Sequence, residues 1–313
     1  MNSLHKADFV KSFTFLLHNY KEFNCNPKTM PERRNVKSVI KRRKFCSLES
    51  YIDIMSKGKL AAQKLMYECG ILDPTEISLD LIVFGRGATL VEKPLENSEG
   101  RIVFGEKRAI ITINSNITYE GKKRFVIAHE LGHFEMHRDY INIHHDTDAT
   151  LEYFKKGNQE TEANEFASEL LMPENLFIAE CKGRKFNPSL IRDLASRFKT
   201  SITSIAYKYF ELGDHPICLC YSHDNVVRYW KRPENYPHFM KNLTDLAPPD
   251  DSVASEFYED KRIYKKEYSK QQIWKSTWFE LRSRENDNDF KFYEYCIVTP
   301  TYNTVLSIIW EEI

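Results

Sequence analysis

The sequence has no stretch that approaches the ~20 apolar residues needed to cross a bilayer. It shows no secretory signal either, because its first apolar cluster, Phe13 to Leu17, is short and no small-residue cleavage site follows it. A disulfide framework is also lacking, since the seven cysteines are odd in number and scattered along the chain. These absences predict a cytoplasmic protein with free thiols and no membrane contact.

The chain also lacks an excess of charge. Its 45 Lys and Arg residues balance its 45 Asp and Glu residues, so the protein as a whole is not expected to bind nucleic acid electrostatically. A basic run between Arg33 and Lys44 could contact phosphates. A solvated helix face is the commoner explanation of such a run, so a nucleic-acid partner is possible but not favoured.

The segment from Arg124 to His133 contains the pattern His-Glu-x-x-His. If it is helical, His129 and His133 project from the same face about one turn apart, and both imidazoles can reach one metal ion. Glu130 follows the first histidine directly and can act as general acid and base on a water activated by that ion. A helix with two surface histidines is the alternative, so the third ligand decides between them.

Three histidines follow the motif. His137 extends the spacing of four, but two such steps carry it about 12 Å along a straight helix from His129. It is therefore expected to support a ligand or to lie at the surface. His144 and His145 lie in a polar stretch, where adjacent histidines are more often solvated.

An acidic residue on the next predicted helix, which Pro173 ends, fits the third position better. Glu160 and Asn164 are four apart and share a face, which suits a carboxylate ligand and an amide that orients one of the zinc histidines. Glu162 is the competing carboxylate. A third possibility is that all these acidic residues are solvated.

Two blocks of sequence together resemble one family. Arg-Phe-x-x-Ala-His-Glu-Leu-Gly-His at residues 124–133, followed by Glu-x-x-Ala-Asn-x-Phe-Ala-x-x-Leu-Leu-Met-Pro at residues 160–173, is similar to the ImmA/IrrE family of intracellular zinc metallopeptidases. The resemblance implies a gluzincin-like endopeptidase that holds one zinc ion per chain with His129, His133 and Glu160. It gives Glu130 the role of general acid and base. Members of the family cleave helix-turn-helix repressors of stress-response or mobile-element genes, so such a repressor is the implied substrate and partner.

Substrate contacts are predicted less directly. Residues 101–104 and 109–114 form a predicted hairpin. By resemblance, Ile110 to Asn114 is the edge strand that would pair with an extended substrate, although a plain structural strand is equally consistent. Ile111, Ile113 and Tyr140 are the resulting candidates for substrate binding. No group that stabilises the oxyanion can be identified; the candidates by location are His137, Tyr140, His144 and His145.

The predicted fold is α+β: a zincin-like metallopeptidase domain with a small mixed sheet and the His-Glu-x-x-His helix, a helix-turn-helix-like segment and a C-terminal β-rich domain. The predicted boundaries are 1–54 for a helical and basic extension, 55–180 for the metallopeptidase, 181–213 for the helix-turn-helix-like segment and 214–313 for a regulatory or scaffold domain. C-terminal strands are predicted at 217–221, 226–230, 271–281, 291–298 and 304–310. The alternative to a protease is a DNA-binding or repressor-binding regulator with a non-catalytic zinc site.

Overall fold

A computed structural model of the 313-residue chain describes residues 56–105, 108–141, 158–266 and 269–312. The predicted N-terminal extension lies outside these residues, as do His144 and His145. The architecture is a mixed α+β fold in which a small sheet and a set of helices are followed by a larger antiparallel sheet. None of the described helices combines the length and the apolar character required to cross a bilayer.

Two helices precede the first sheet. Helix α1 (Lys57–Glu68) begins at Ser56, whose hydroxyl accepts a hydrogen bond from the backbone N–H of Lys59. Helix α2 (Leu79–Gly85) is a nearly continuous apolar run without clear periodicity, so the sequence pattern does not predict it.

The small sheet contains β1 (Ala88–Lys93), β2 (Gly100–Phe104) and β3 (Ala109–Asn114). The predicted hairpin is confirmed, since β2 pairs antiparallel with β3. Strand β1 pairs in parallel with the other side of β3, so the order is β1-β3-β2.

The prediction that β3 is an edge strand is therefore wrong. Both of its sides are paired within the sheet, because β1 joins it across a connection that the local sequence pattern does not reveal. Ile111 and Ile113 are fully buried in the core, so their side chains cannot line a substrate groove as predicted.

Helices α3 (Glu120–Ile141) and α4 (Asn158–Leu171) carry the two sequence blocks and pack against each other. Gly132 makes the contact close: a Cβ atom there would lie 3.0 Å from the ring of Phe166. Helix α1 packs on α4 in the same way, since a Cβ atom at Gly58 would lie 2.2 Å from the carbonyl oxygen of Glu162. Because these glycines have no side chain, helices α1 and α3 can both pack closely against α4.

Three helices follow: α5 (Glu174–Cys181), α6 (Pro188–Phe198) and α7 (Ile202–Leu212). The last two match the predicted helix pair, with Asn187 and Ser201 as their N-caps. Lys208, one of the polar residues that α7 could have offered to DNA, is buried and lies 3.3 Å from the carboxylate of Glu169. The ammonium group of Lys208 therefore forms an ion pair inside the core and does not face solvent.

The C-terminal part forms a five-stranded antiparallel sheet of order β5-β4-β8-β7-β6. Its elements are β4 (Cys218–His223), β5 (Val226–Lys231), α8 (Val253–Asp260), β6 (Gln271–Ile273), α9 (Lys275–Trp278), β7 (Phe292–Thr299) and β8 (Thr304–Glu311).

The predicted strand 271–281 is wrong beyond residue 273, where the chain turns into α9. The buried Lys275 donates to Glu285 at 2.6 Å, and Trp278 donates to the buried Glu294 at 3.0 Å. These tertiary contacts override the strand-like alternation of this segment.

Both faces of this sheet are buried. On one face, Leu219, Ile308 and Trp310 join the apolar core that also contains the helices and the small sheet. On the other face, residues such as Val305 and Ile309 form a second core with α8 and the segment around Phe279. Side chains that alternate along β8 thus enter two different cores.

Candidate metal centre

Helices α3 and α4 bring two imidazoles and one carboxylate together. The Nε2 atoms of His129 and His133 lie 3.1 Å apart. The two carboxylate oxygens of Glu160, in the first turn of α4, lie 3.3 Å from these nitrogens, one from each. The predicted third ligand thus converges on the same point as the two histidines.

These three side chains fit a metal ion. Their ligand atoms all lie within 4.8 Å of one another. Zinc bonds of about 2.0–2.1 Å in a tetrahedron place ligand atoms about 3.3 Å apart, close to the observed separations. Oε1 of Glu160 is buried and accepts no hydrogen bond from the described residues, a condition that a cation beside it would satisfy.

Asn164 contacts the first histidine of the motif. Its amide oxygen lies 3.0 Å from Nδ1 of His129. Because the oxygen can only accept, Nδ1 carries the proton and Nε2 keeps its lone pair for the metal.

His137 contacts the second histidine of the motif and lies outside the cluster of His129, His133 and Glu160. Its Nδ1 lies 3.0 Å from Nδ1 of His133, and its Nε2 lies 3.0 Å from Oε2 of Glu162. Both ring nitrogens are engaged and the side chain is buried, so His137 is also unsuited to stabilising an oxyanion.

Glu162, the competing carboxylate, lies behind this histidine. Burial raises its pKa, but the hydrogen bond with His137 and the nearby ammonium group of Lys57 together outweigh burial and hold the pKa below its ordinary value. Glu162 is therefore a stable anion that faces His137.

Glu130 is buried on α3, between the two histidines in sequence, and only 3 % of it is exposed. Its side chain packs against Gly100, at the start of β2. A Cβ atom at this glycine would lie 2.8 Å from Oε1 of Glu130, 3.0 Å from its Cγ and 2.5 Å from Cγ1 of Val126. The sequence does not indicate this contact of Gly100, because it arises only from the packing of β2 on α3.

On its outer side, β2 pairs with no other strand of the described residues. The N–H of Asn114 donates to the carbonyl of Glu99, and the N–H of Gly105 donates to that of Arg108. Since pairing alternates along an antiparallel ladder, the N–H and C=O groups of residues 100, 102 and 104 point away from β3. The edge strand next to Glu130 is therefore β2.

Tyr140 lies in the last turn of α3, and its side chain is outside the described part of the chain. Its predicted substrate role stays a prediction.

Comparison with known proteins agrees with this geometry. The family model of Peptidase M78, described as an IrrE N-terminal-like domain, matches residues 85–210, which include α3, α4, α6 and all but the last two residues of α7. Both sequence motifs lie inside the matched residues, so the resemblance predicted from them is confirmed for this part of the chain.

Among solved structures, the chain is similar to a Mycobacterium tuberculosis transcriptional regulator. The identity is 15 %, the TM-score is 0.52, and the match covers 83 % of this chain and 89 % of that one. At this identity the likeness shows a shared fold alone. No curated protein sequence matches the chain.

Proposed function

We propose that the protein is a zinc-dependent endopeptidase with one zinc ion per chain, held by His129, His133 and Glu160. The observation that carries this proposal is the convergence of their ligand atoms at 3.1–3.3 Å. Two imidazoles and a carboxylate are a common ligand set of catalytic zinc, and three protein ligands leave one position for water or substrate. The matched peptidase domain supports the same interpretation.

Zinc held there supplies a Lewis acid that lowers the pKa of water to ~7. The protein supplies the proton carrier. The Glu130 carboxylate takes a proton from water as the water oxygen bonds to the peptide carbonyl carbon. It then gives that proton to the peptide nitrogen as the C–N bond breaks. Its burial beside Gly100 restricts the carboxylate to one position, which favours both transfers.

The free edge of β2 is the substrate strand in this proposal. An extended peptide would pair with the outward N–H and C=O groups of Ile102 and Phe104. The carbonyl of Gly100 accepts from the hydroxyl of Ser98 at 2.5 Å, so its N–H is the group that Gly100 adds to this edge. Gly100 contacts Glu130, so a peptide paired at this end of β2 passes close to the general base. Such pairing uses the main chain and tolerates many side chains.

The proposed substrate is a helix-turn-helix transcriptional repressor, cut in a stress, mobile-element or defence response. The family resemblance supports it. The structural neighbour from M. tuberculosis is named a transcriptional regulator, which also supports a regulatory role.

The first test measures metal. Zinc content of the purified chain is expected to be about one ion, and His129→Ala or Glu160→Ala should lose it. The second test incubates the zinc-loaded protein with each helix-turn-helix protein that is found encoded beside its gene and follows intact masses. Two fragments whose masses sum to the substrate plus one water are expected.

Glu130→Gln should keep zinc and lose cleavage, while Glu165→Gln on α4 is the matched control. Cleavage by Glu130→Gln would reject the assigned role.

A second candidate is a DNA-binding or repressor-binding regulator whose zinc site is not catalytic, which the fold of the mycobacterial transcriptional regulator favours. The burial of Lys208 against Glu169 argues against base reading by α7. A stable complex with the repressor or a gel shift with DNA, in both cases without cutting and unchanged in Glu130→Gln, would favour this candidate.

A further inference from the structure

We infer that His137 and Glu162 form a hydrogen-bonded relay that fixes the tautomer and orientation of His133, and that both are positioning residues for the metal. This inference rests on the zinc site proposed above. The contacts are Nδ1 of His133 to Nδ1 of His137 at 3.0 Å and Nε2 of His137 to Oε2 of Glu162 at 3.0 Å. His133 and His137 are both buried, so water does not replace these contacts easily.

With both imidazoles neutral, the hydrogen bonds run in only one direction. The carboxylate of Glu162 only accepts, so Nε2 of His137 must carry a proton. In the neutral ring, Nδ1 of His137 is then an acceptor, and Nδ1 of His133 must donate to it. The proton of His133 is thereby kept on Nδ1, and the lone pair of Nε2 faces Glu160 and His129.

The anchor of this relay is Glu162 rather than the lysine beyond it. Nζ of Lys57 lies 3.4 Å from Oε1 of Glu162, but the lysine side chain is 80 % exposed while that of Glu162 is 20 % exposed. An exposed cation is screened by solvent and contributes little. The contribution of α1 is mainly its close packing at Gly58, beside the backbone of Glu162.

The two ligand histidines are therefore oriented by different means. His129 donates directly to the neutral amide of Asn164. His133 reaches an acceptor-only carboxylate through a second imidazole. This difference predicts that Glu162→Gln is informative, because a glutamine amide can turn and donate to Nε2 of His137. That would reverse the relay and place the proton of His133 on its metal-binding nitrogen.

The test measures zinc affinity by competition with a chelator. Glu162→Gln is expected to weaken zinc binding about tenfold and His137→Phe about 10- to 100-fold, the range for groups that support metal ligands. Glu165→Gln, on the same helix, and Lys64→Ala, on α1, are controls expected to match the wild type. Lys57→Ala should change the affinity less than about threefold. Melting curves of the metal-free variants verify that each one folds.

A second measurement needs no variant that might misfold. In the zinc-loaded wild type labelled with ¹⁵N-histidine, NMR should show His137 protonated on Nε2 and His133 protonated on Nδ1, with His137→Phe serving for assignment only. Wild-type zinc affinity in both Glu162→Gln and His137→Phe, or a proton on Nδ1 of His137, would overturn the relay. A wild-type protein that binds no zinc would instead overturn the proposed function.

Discussion

Gly100 lies directly against Glu130, so closely that any side chain at position 100 must displace the carboxylate or the strand. A Cβ atom there would lie 2.8 Å from Oε1 of Glu130 and 2.5 Å from Cγ1 of Val126. Those separations are far inside van der Waals contact, and neither α3 nor β2 can move without disturbing its own packing.

If the proposed function holds, Gly100→Ala should reduce kcat/KM for the cleaved protein by about 10- to 100-fold, because Glu130 acting as general base loses its alignment when displaced by even about 1 Å. Zinc content should stay that of the wild type, since no ligand is touched. Gly85→Ala is the matched control, because a Cβ atom at Gly85 meets nothing within 4 Å. Full activity in Gly100→Ala would show that the position of Glu130 is not critical.

The ligand assignment distinguishes two carboxylates two residues apart. Glu160→Gln should abolish tight zinc binding, whereas Glu162→Gln should only weaken it. Zinc at 100 times its dissociation constant should stabilise the wild type by about 2.7 kcal/mol, which a melting curve detects as a higher Tm. This increase should vanish in Glu160→Gln. A zinc-dependent Tm increase that survived in Glu160→Gln and vanished in Glu162→Gln would exchange the two roles.

A buried ion pair holds the helix that carries Glu160. Glu169 accepts from Lys208 at 3.3 Å and from Gln63 at 3.0 Å, and the side chains of Glu169 and Lys208 are almost fully buried. Lys208→Met should lower the free energy of unfolding by about 3 kcal/mol, because it leaves a buried carboxylate without its cation. Urea unfolding measures the change.

The double variant Glu169→Gln with Lys208→Met removes both charges and should recover part of this loss. A double variant that is as unstable as the sum of the single variants would contradict this account of the pair.

Acid stability should depend on Asp73, which accepts from Arg197 at 2.5 Å and from Thr75. Burial raises the pKa of Asp73, but the hydrogen bonds from Arg197 and Thr75 outweigh burial and lower it below its ordinary value of 3.8. The folded state thus favours the charged carboxylate of Asp73 more than the unfolded chain does. Its contribution is present above pH 3.8 and is lost as the pH falls through the lower, folded-state pKa.

Asp73→Asn should therefore be less stable than the wild type by about 1 kcal/mol at pH 7, and the difference should disappear toward about pH 2–3. Thermal melts of both proteins across this range give the difference, and loss of zinc affects both equally. A difference that grew as the pH fell would have the wrong sign for this mechanism.

The site was largely predictable because its residues obey helical spacing. His129 and His133 are one turn apart on α3, and Glu160 and Asn164 are one turn apart on α4, so each face could be inferred from sequence alone. The meeting of these two faces required the family resemblance. The contact of Gly100 with Glu130 could not be predicted, because it depends on how β2 packs on α3.

The errors concern features that local patterns do not specify. The position of β3 in the middle of its sheet follows from the parallel pairing with β1, which no periodicity in either strand indicates. The segment after Ile273 has aromatic residues typical of a strand, yet the buried bond from Lys275 to Glu285 accompanies a helical turn there. In both places tertiary contacts decide the structure.

Phe186 packs on Tyr209 of α7 and, edge to face, on Trp310 of β8, with ring centroids 5.0 and 4.8 Å apart. One ring thus joins the helices to the last strand across a sequence boundary near residue 213. A fragment ending at that boundary would leave Phe186 facing water where it now faces the indole. Such a fragment should therefore be poorly soluble, and the last strand is as necessary for a stable protein as the helices that carry His129, His133 and Glu160.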